Sequence, residues 1–268
     1  MFVMCMFRID FSKVRSELQA RLKNCRNQLS ALGSSRETTA DKTKYLLTMA
    51  GSFQELTYQA LTTEYAGDEV FERSPNLKIA TLVRNRSEFF ARAFDKYAHT
   101  YEFEGKGDDQ PDAEPAKKLN VRLDKGVSDL EDIIGDIDDD VEMPLKGEIF
   151  EWLKELHHNS RGFELGTYQP SILSNSMKKQ SLKWETLAIG YLSDIITMVH
   201  KFVVDMLEHV CPEKSVRQEL MVILSEQLAA QYTRALDHVK FLLQVECAEN
   251  PGTVNQYFAT GLHDRYGS

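Results

Sequence analysis

The chain has 268 residues, of which 42% are hydrophobic and 27% charged, with a formal net charge of −9. That length and apolar content suffice for one large domain or two small ones, and the acidic balance excludes a broad basic footprint for nucleic acid. No run of about 18 uninterrupted apolar residues occurs, which is the length a membrane-spanning helix needs.

The opening MFVMCMFRID is apolar for only a few residues and lacks a basic region and a small-residue cleavage site, so it does not read as a secretory leader. Residues 1–9 are expected to be poorly ordered or a misassigned start. Phe11, Val14, Leu18, Leu22, Cys25, Leu29 and Leu32 then recur at steps of three and four. This predicts a helix capped by Ser12 or Asp10 and stopped at Gly33. A second helix is predicted from about Thr39 through Tyr45, Leu46, Met49, Phe53, Leu56 and Leu61 to Gly67. A third carries Leu77, Leu82, Val83, Phe89, Phe90, Phe94 and Tyr97.

Acidity is concentrated after this third helix. Residues 101–142 hold fifteen Asp or Glu against five Lys or Arg, and the rest of the chain holds 26 against 27. The stretch YEFEGKGDDQPDAEPAKK has little to bury, which predicts a flexible acidic insert at about 102–143. A short helix is expected inside it at SDLEDIIGDIDDD. After Pro144, Ile149, Phe150, Leu153 and Leu156 mark a compact amphipathic helix.

Residues 171–210 contain no proline and a single glycine, Gly190. About forty helical residues would extend roughly 60 Å, whereas a compact domain of this size has a radius of gyration near 18 Å, an approximate scaling value. Cys211-Pro212 closes this helix. Another follows through Val216, Leu220, Ile223, Leu224, Leu228, Tyr232, Leu236, Val239 and Leu243, before a polar tail at 249–268. The expected fold is all-α, an elongated antiparallel helical bundle over residues 10–248.

Motifs for nucleotide chemistry are missing. The Gly105-Lys106 step is followed by Gly107 where a P-loop needs Ser or Thr, and neither G-x-G-x-x-G nor G-x-S-x-G occurs. DIDDDVEMPLKGE places Val141 and Gly147 where a calcium loop requires Gly and Glu. His157 and His158 are adjacent and cannot share a metal from one helix face. Asp205 and His209 read first as a helix-face ion pair, and His200 and His238 as packing or boundary residues. Cys5, Cys25, Cys211 and Cys247 are scattered, as reduced thiols of a cytosolic protein would be. No catalytic, cofactor or metal residue is expected. Lys178, Lys179 and Lys183 form a basic cluster that reads either as a solvated face or as contact with an anionic surface, which would make the chain a membrane-surface adaptor.

The segment LKGEIFEWLKELHHNSRGFELGTYQPSILSNSMKKQSLKWETLAIGYLSDIITMV resembles the middle region, or stalk, of the dynamin superfamily, most closely its fungal Mx-like members. SELQARLKNCRNQLSALGSSR with KTKYLLTMAGSFQELTYQAL resembles the start of that stalk. ALDHVKFLLQVECAENPGTVNQYF resembles its third long helix and the turn beyond. The resemblance spans roughly residues 10–258. It implies a stalk fragment, because neither the family's GTPase domain, nor its nucleotide-coupled bundle, nor its C-terminal effector segment is recognisable here; GTP and magnesium belong to full-length members.

The resemblance also implies self-assembly, with Arg161, Gly162, Phe163 and Glu164 at a tip contact between neighbouring stalks. Phe163 and Leu165 read equally as packing under that turn. An unfilled apolar groove is implied where the effector helix would lie, inviting self-association. The resemblance implies as partners other copies of the chain, full-length dynamin-like subunits and, in the family, peripheral membrane. A regulatory fragment that binds intact subunits through the groove is the alternative function.

Overall fold

The computed structural model describes residues 2–32, 36–66, 69–102, 118–123, 128–135, 140–146, 149–159 and 170–248. It is mostly helical, of the all-α class. In chain order the helices are α1 (Phe2–Leu32), α2 (Thr39–Thr62), α3 (Glu69–Arg73), α4 (Ile79–Tyr97), α5 (Glu131–Ile134), α6 (Ile149–Asn159), α7 (Pro170–Gln180), α8 (Trp184–Val210) and α9 (Lys214–Leu243). Among the described residues between α4 and α6 lie four two-residue strands: β1 (Tyr101–Glu102), β2 (Leu119–Asn120), β3 (Asp140–Val141) and β4 (Leu145–Lys146).

α8 is the central element. Its Phe202 and Met206 pack with Leu56 and Ala60 of α2, Phe71 of α3 and Leu77. Its Ile189 and Ile196 pack with Leu130, Ile134 and with Tyr232 and Leu236 of α9. Its Leu187 joins Tyr97, Ala98, Val121 and Val141. α9 folds back on α8, with Arg217 Nη2 meeting Glu208 Oε1 at 3.4 Å beside the connection and Leu236 meeting Ile189 at the far end. By length and composition alone, the helical stretch Ile172–Val210 includes a window apolar enough to cross a bilayer. Half of that window is buried inside the protein, where it forms these cores.

The acidic stretch differs from the expected flexible insert in its described parts. β1 pairs parallel with β4, Tyr101 opposite Leu145, and β2 pairs antiparallel with β3, Leu119 opposite Val141. Val121, Leu130, Ile134 and Val141 are buried. Sparse apolar residues in a charged sequence dilute any periodic signal, yet each of these four enters a core. The short helix expected within SDLEDIIGDIDDD forms as a 3₁₀ turn, Ser128–Leu130, and α5, ended by Gly135 at φ 66°.

The expected forty-residue rod is two helices separated by a turn at 181–183. In a continuous helix the Lys179 carbonyl would accept from residue 183; here it accepts from Thr100 Oγ1 at 2.5 Å. The Gln180 side chain is also taken up by the strand β1, accepting from the Thr100 and Tyr101 N–H groups and donating to the Tyr101 carbonyl. Trp184 N–H bonds instead to Ser181 O at 3.0 Å, a tighter turn.

α1 begins at Phe2 and runs through the residues expected to be poorly ordered, so Asp10 and Ser12 lie within it; Gly33, its expected stop, lies outside the described residues. α2 ends at Thr62, before the expected Gly67, because Thr63 takes the left-handed conformation, φ 63°, and its N–H returns to Gln59 O. A β-branched residue is strained there. Replacing Thr63 by glycine is expected to raise the unfolding free energy by about 1 kcal/mol, measured as a higher urea midpoint with unchanged slope.

Candidate functional site

A charge lies at a position that helical spacing assigns to the core. Along α4, Ile79, Arg86, Ala93 and Tyr97 are buried, and Arg86 shares their face. Along α8, Asp194 follows Leu192 and Ser193 and precedes Ile195 and Ile196. Both charged side chains are 1% exposed, and Arg86 Nε donates to Asp194 Oδ2 at 2.6 Å. The antiparallel register of the two helices continues in rings: Phe90 stacks on Tyr191 with centroids 4.6 Å apart, and Phe94 meets Trp184 at 5.3 Å.

The pair also holds the segment after β2. Arg86 Nη2 donates to the Val121 carbonyl at 2.8 Å, and the Leu123 N–H donates to both Asp194 oxygens at 3.1 and 3.2 Å. The Arg86 guanidinium lies 5.0 Å from the Phe89 ring centroid and 5.4 Å from that of Tyr191. Gly190 makes room for this segment, since a Cβ there would stand 2.3 Å from Val121 Cγ1. Both Asp194 oxygens and two of the three guanidinium nitrogens are engaged within the protein, so the charges act on the fold. Sequence reading missed this junction; its available signal was a charge of each sign inside two apolar helical faces.

A second buried polar group lies where α8 meets α9. His200 faces Tyr232 of α9 with ring centroids 6.3 Å apart, and His200 Nδ1 and the Tyr232 hydroxyl are buried with no hydrogen-bond partner among the described residues. Burial lowers the His200 pKa below its usual 6.5, with Asp129 opposing, and burial pushes the Tyr232 phenol up to about 12. Of the two roles expected of it, packing or boundary, His200 takes the first, and His238 is exposed on α9. Asp205 accepts from Asn76 Nδ2 at 2.9 Å, a tie between helix α8 and the turn before α4.

The structure does not bring the expected site residues together. Arg161, Gly162, Phe163 and Glu164 lie outside the described residues, as does Leu165. Lys178 and Lys179 are half-buried in the last turn of α7. Lys183 Nζ donates to the Glu142 carbonyl at 2.7 Å. Burial lowers its pKa below the usual lysine value, opposed by the Glu142 carboxylate. Lys183 therefore serves as a tie to the acidic stretch, and the cluster does not present three free ammonium groups to an anionic surface. Among the described residues no group of three or more His, Cys, Asp or Glu is placed to hold a metal ion, and Cys25, Cys211 and Cys247 are free thiols.

Removing one partner of the buried pair strands the other charge. Arg86→Met is expected to destabilise the protein by about 3–5 kcal/mol. Arg86→Met with Asp194→Asn should recover part of that loss, since Asn keeps an oxygen for the Leu123 N–H; urea unfolding of the three proteins measures it. For His200 the folded pKa is lowered, so the unfolded state takes up its proton first. Its contribution is complete above about pH 6.5 and is lost as pH falls from there through the lowered folded pKa. The unfolding midpoint should therefore drop between pH 7.5 and 5.5, and less so in His200→Gln.

No family model matches the chain, and neither a curated protein nor a solved structure matches it.

Proposed function

We propose that the chain is a helical self-assembly module of the dynamin-stalk type, an elongated bundle that works by associating with copies of itself. The observation that carries this reading is the amount of ordered apolar surface its long helices leave in water. Phe11, Val14, Leu18 and Leu22 of α1 are each between 50% and 74% exposed. Leu47, Tyr58 and Leu61 of α2 and Val222, Ile223 and Phe241 of α9 are exposed as well. Single exposed apolar residues are ordinary, but rows of them on long helices mark association surfaces.

The order of the stalk-like segments along the chain gives the second support. On that resemblance, the module would act in the cytoplasm as the assembly part of a dynamin-like GTPase, coupling nucleotide hydrolysis carried elsewhere to remodelling of a membrane or other target. Arg161, Gly162, Phe163 and Glu164 are assigned to a contact between neighbours.

The purified chain is expected to elute as dimers or larger species, with its mass read by light scattering. Arg161→Asp with Gly162→Asp should lower that mass while far-ultraviolet circular dichroism stays unchanged. A monomeric wild-type chain would overturn the reading, and an unchanged mass in the double variant would remove the loop from it.

A further inference from the structure

Residues 128–135 lie across the line where α8 meets α9. Leu130 of the 3₁₀ turn and Ile134 of α5 are buried among Ile189 and Ile196 of α8 and Tyr232 and Leu236 of α9. The acidic residues of the same stretch, Asp129, Glu131 and Asp132, are all exposed. Arg122 Nη1 ties its far end, donating to the Gly135 carbonyl at 3.3 Å from an exposed position. Two buried side chains and an exposed hydrogen bond are a light fastening, of the kind that opens before the body of a protein does.

The surface beneath is polar at one point. His200 stands one helical turn beyond Ile196 and faces the Tyr232 ring. Each of the two residues is 6% exposed, and His200 Nδ1 and the Tyr232 hydroxyl are buried without a hydrogen-bond partner among the described residues. Polar atoms left unbonded in an apolar setting cost free energy that access to water would return.

We propose that residues 128–135 form a proton-released strap: neutral His200 lets it sit on α8 and α9, and protonation of His200 lifts it. An imidazolium under Leu130 and Ile134 would be a charge cut off from water. The groups around it do not compensate. On α9, burial pushes the Tyr232 phenol up to about 12, so it supplies no anion, and Arg234 and Asp237 are exposed. On α8, Asp205 is bonded to Asn76 and Lys201 has the wrong sign. Arg86 of α4 is neutralised by Asp194, and Glu55 of α2 is exposed.

Asp129 of the strap itself is the charge that acts on His200, and it opposes burial without overcoming it. Lifting the strap opens His200 to water and returns its pKa toward 6.5. The open form therefore binds the proton more tightly than the seated form, and falling pH favours opening. With that open-state pKa, the opening equilibrium rises by at most about tenfold between pH 7.5 and 5.5. Release uncovers Ile189, Ile196, Tyr232 and Leu236. The device works within one copy and does not depend on self-association.

Hydrogen exchange of the full chain, read by mass spectrometry and corrected for the intrinsic effect of pH, tests it at pH 7.5 and 5.5. Amides of residues 128–135 are expected to be less protected than those of α4 at both pH values. Their protection should fall by up to about tenfold at the lower one. His200→Gln should flatten that fall, with His200→Phe in its place if the first variant does not fold. Tyr232→Phe should retain it, because the phenol does not titrate in this range. Asp129→Asn should keep or steepen it, because the seated imidazolium loses its attraction.

Protection of residues 128–135 equal to that of α4 at both pH values would overturn the strap, which would then leave only with the whole fold. A fall that survives replacement of His200, or one abolished by Tyr232→Phe or Asp129→Asn, would overturn His200 as its sensor and the proposal with it.

Discussion

The buried ion pair between Arg86 and Asp194 is the constraint on which the middle of the molecule depends. Charges removed from water are tolerated only where attraction and hydrogen bonds replace hydration. Here the replacement comes from each other and from the backbone of residues 121–123. That requirement fixes α4 against α8 in a single register, which the aromatic pairs below it then follow. It also pulls an acidic, weakly apolar segment onto the body. Val121 reaches its site because Gly190 leaves space for it and because Arg86 and Asp194 take up the polar groups beside it. An apolar pair of similar size would pack as well, but would say nothing about where the 121–123 backbone belongs.

Much of the helical framework was legible. Steps of three and four residues identify α1, α2, α4, α6 and α9, and Cys211-Pro212 marks the end of α8. The departures share a physical origin, which is that their causes lie far away in the chain. The turn at 181–183 is imposed by Thr100, 79 residues from Lys179, and nothing between Gln180 and Trp184 announces it. Val121 and Val141 become core residues through partners on α4 and α8. Periodicity reports that a helix has an apolar face; it cannot report whether another element covers it. The same pattern accordingly described α8, whose face is filled, and α1, whose face is open.

The candidate site divides along the same line. The loop at Arg161 to Glu164 rests on resemblance alone and lies outside the described residues. The lysine cluster was read from local charge, and local charge missed that Lys183 meets the Glu142 carbonyl across 41 residues. The open rows on α1, α2 and α9 were readable as apolar periodicity, but only the packed structure shows which of them remain in water.

The sequence distance across the central ion pair bears on how the protein is made. Arg86 and Asp194 are 108 residues apart. At a synthesis rate of roughly 5–20 residues per second, Asp194 leaves the ribosome some 5–20 seconds after Arg86 does. Throughout that interval Arg86 stands among apolar neighbours with its counter-ion still to emerge, and α2 and α4 wait for the helix that completes their core. A helical protein of ordinary local topology could settle as it emerges. This one must hold its first hundred residues uncommitted until α8 arrives, a window in which chaperones or neighbouring nascent copies can meet exposed seams before the chain's own core closes.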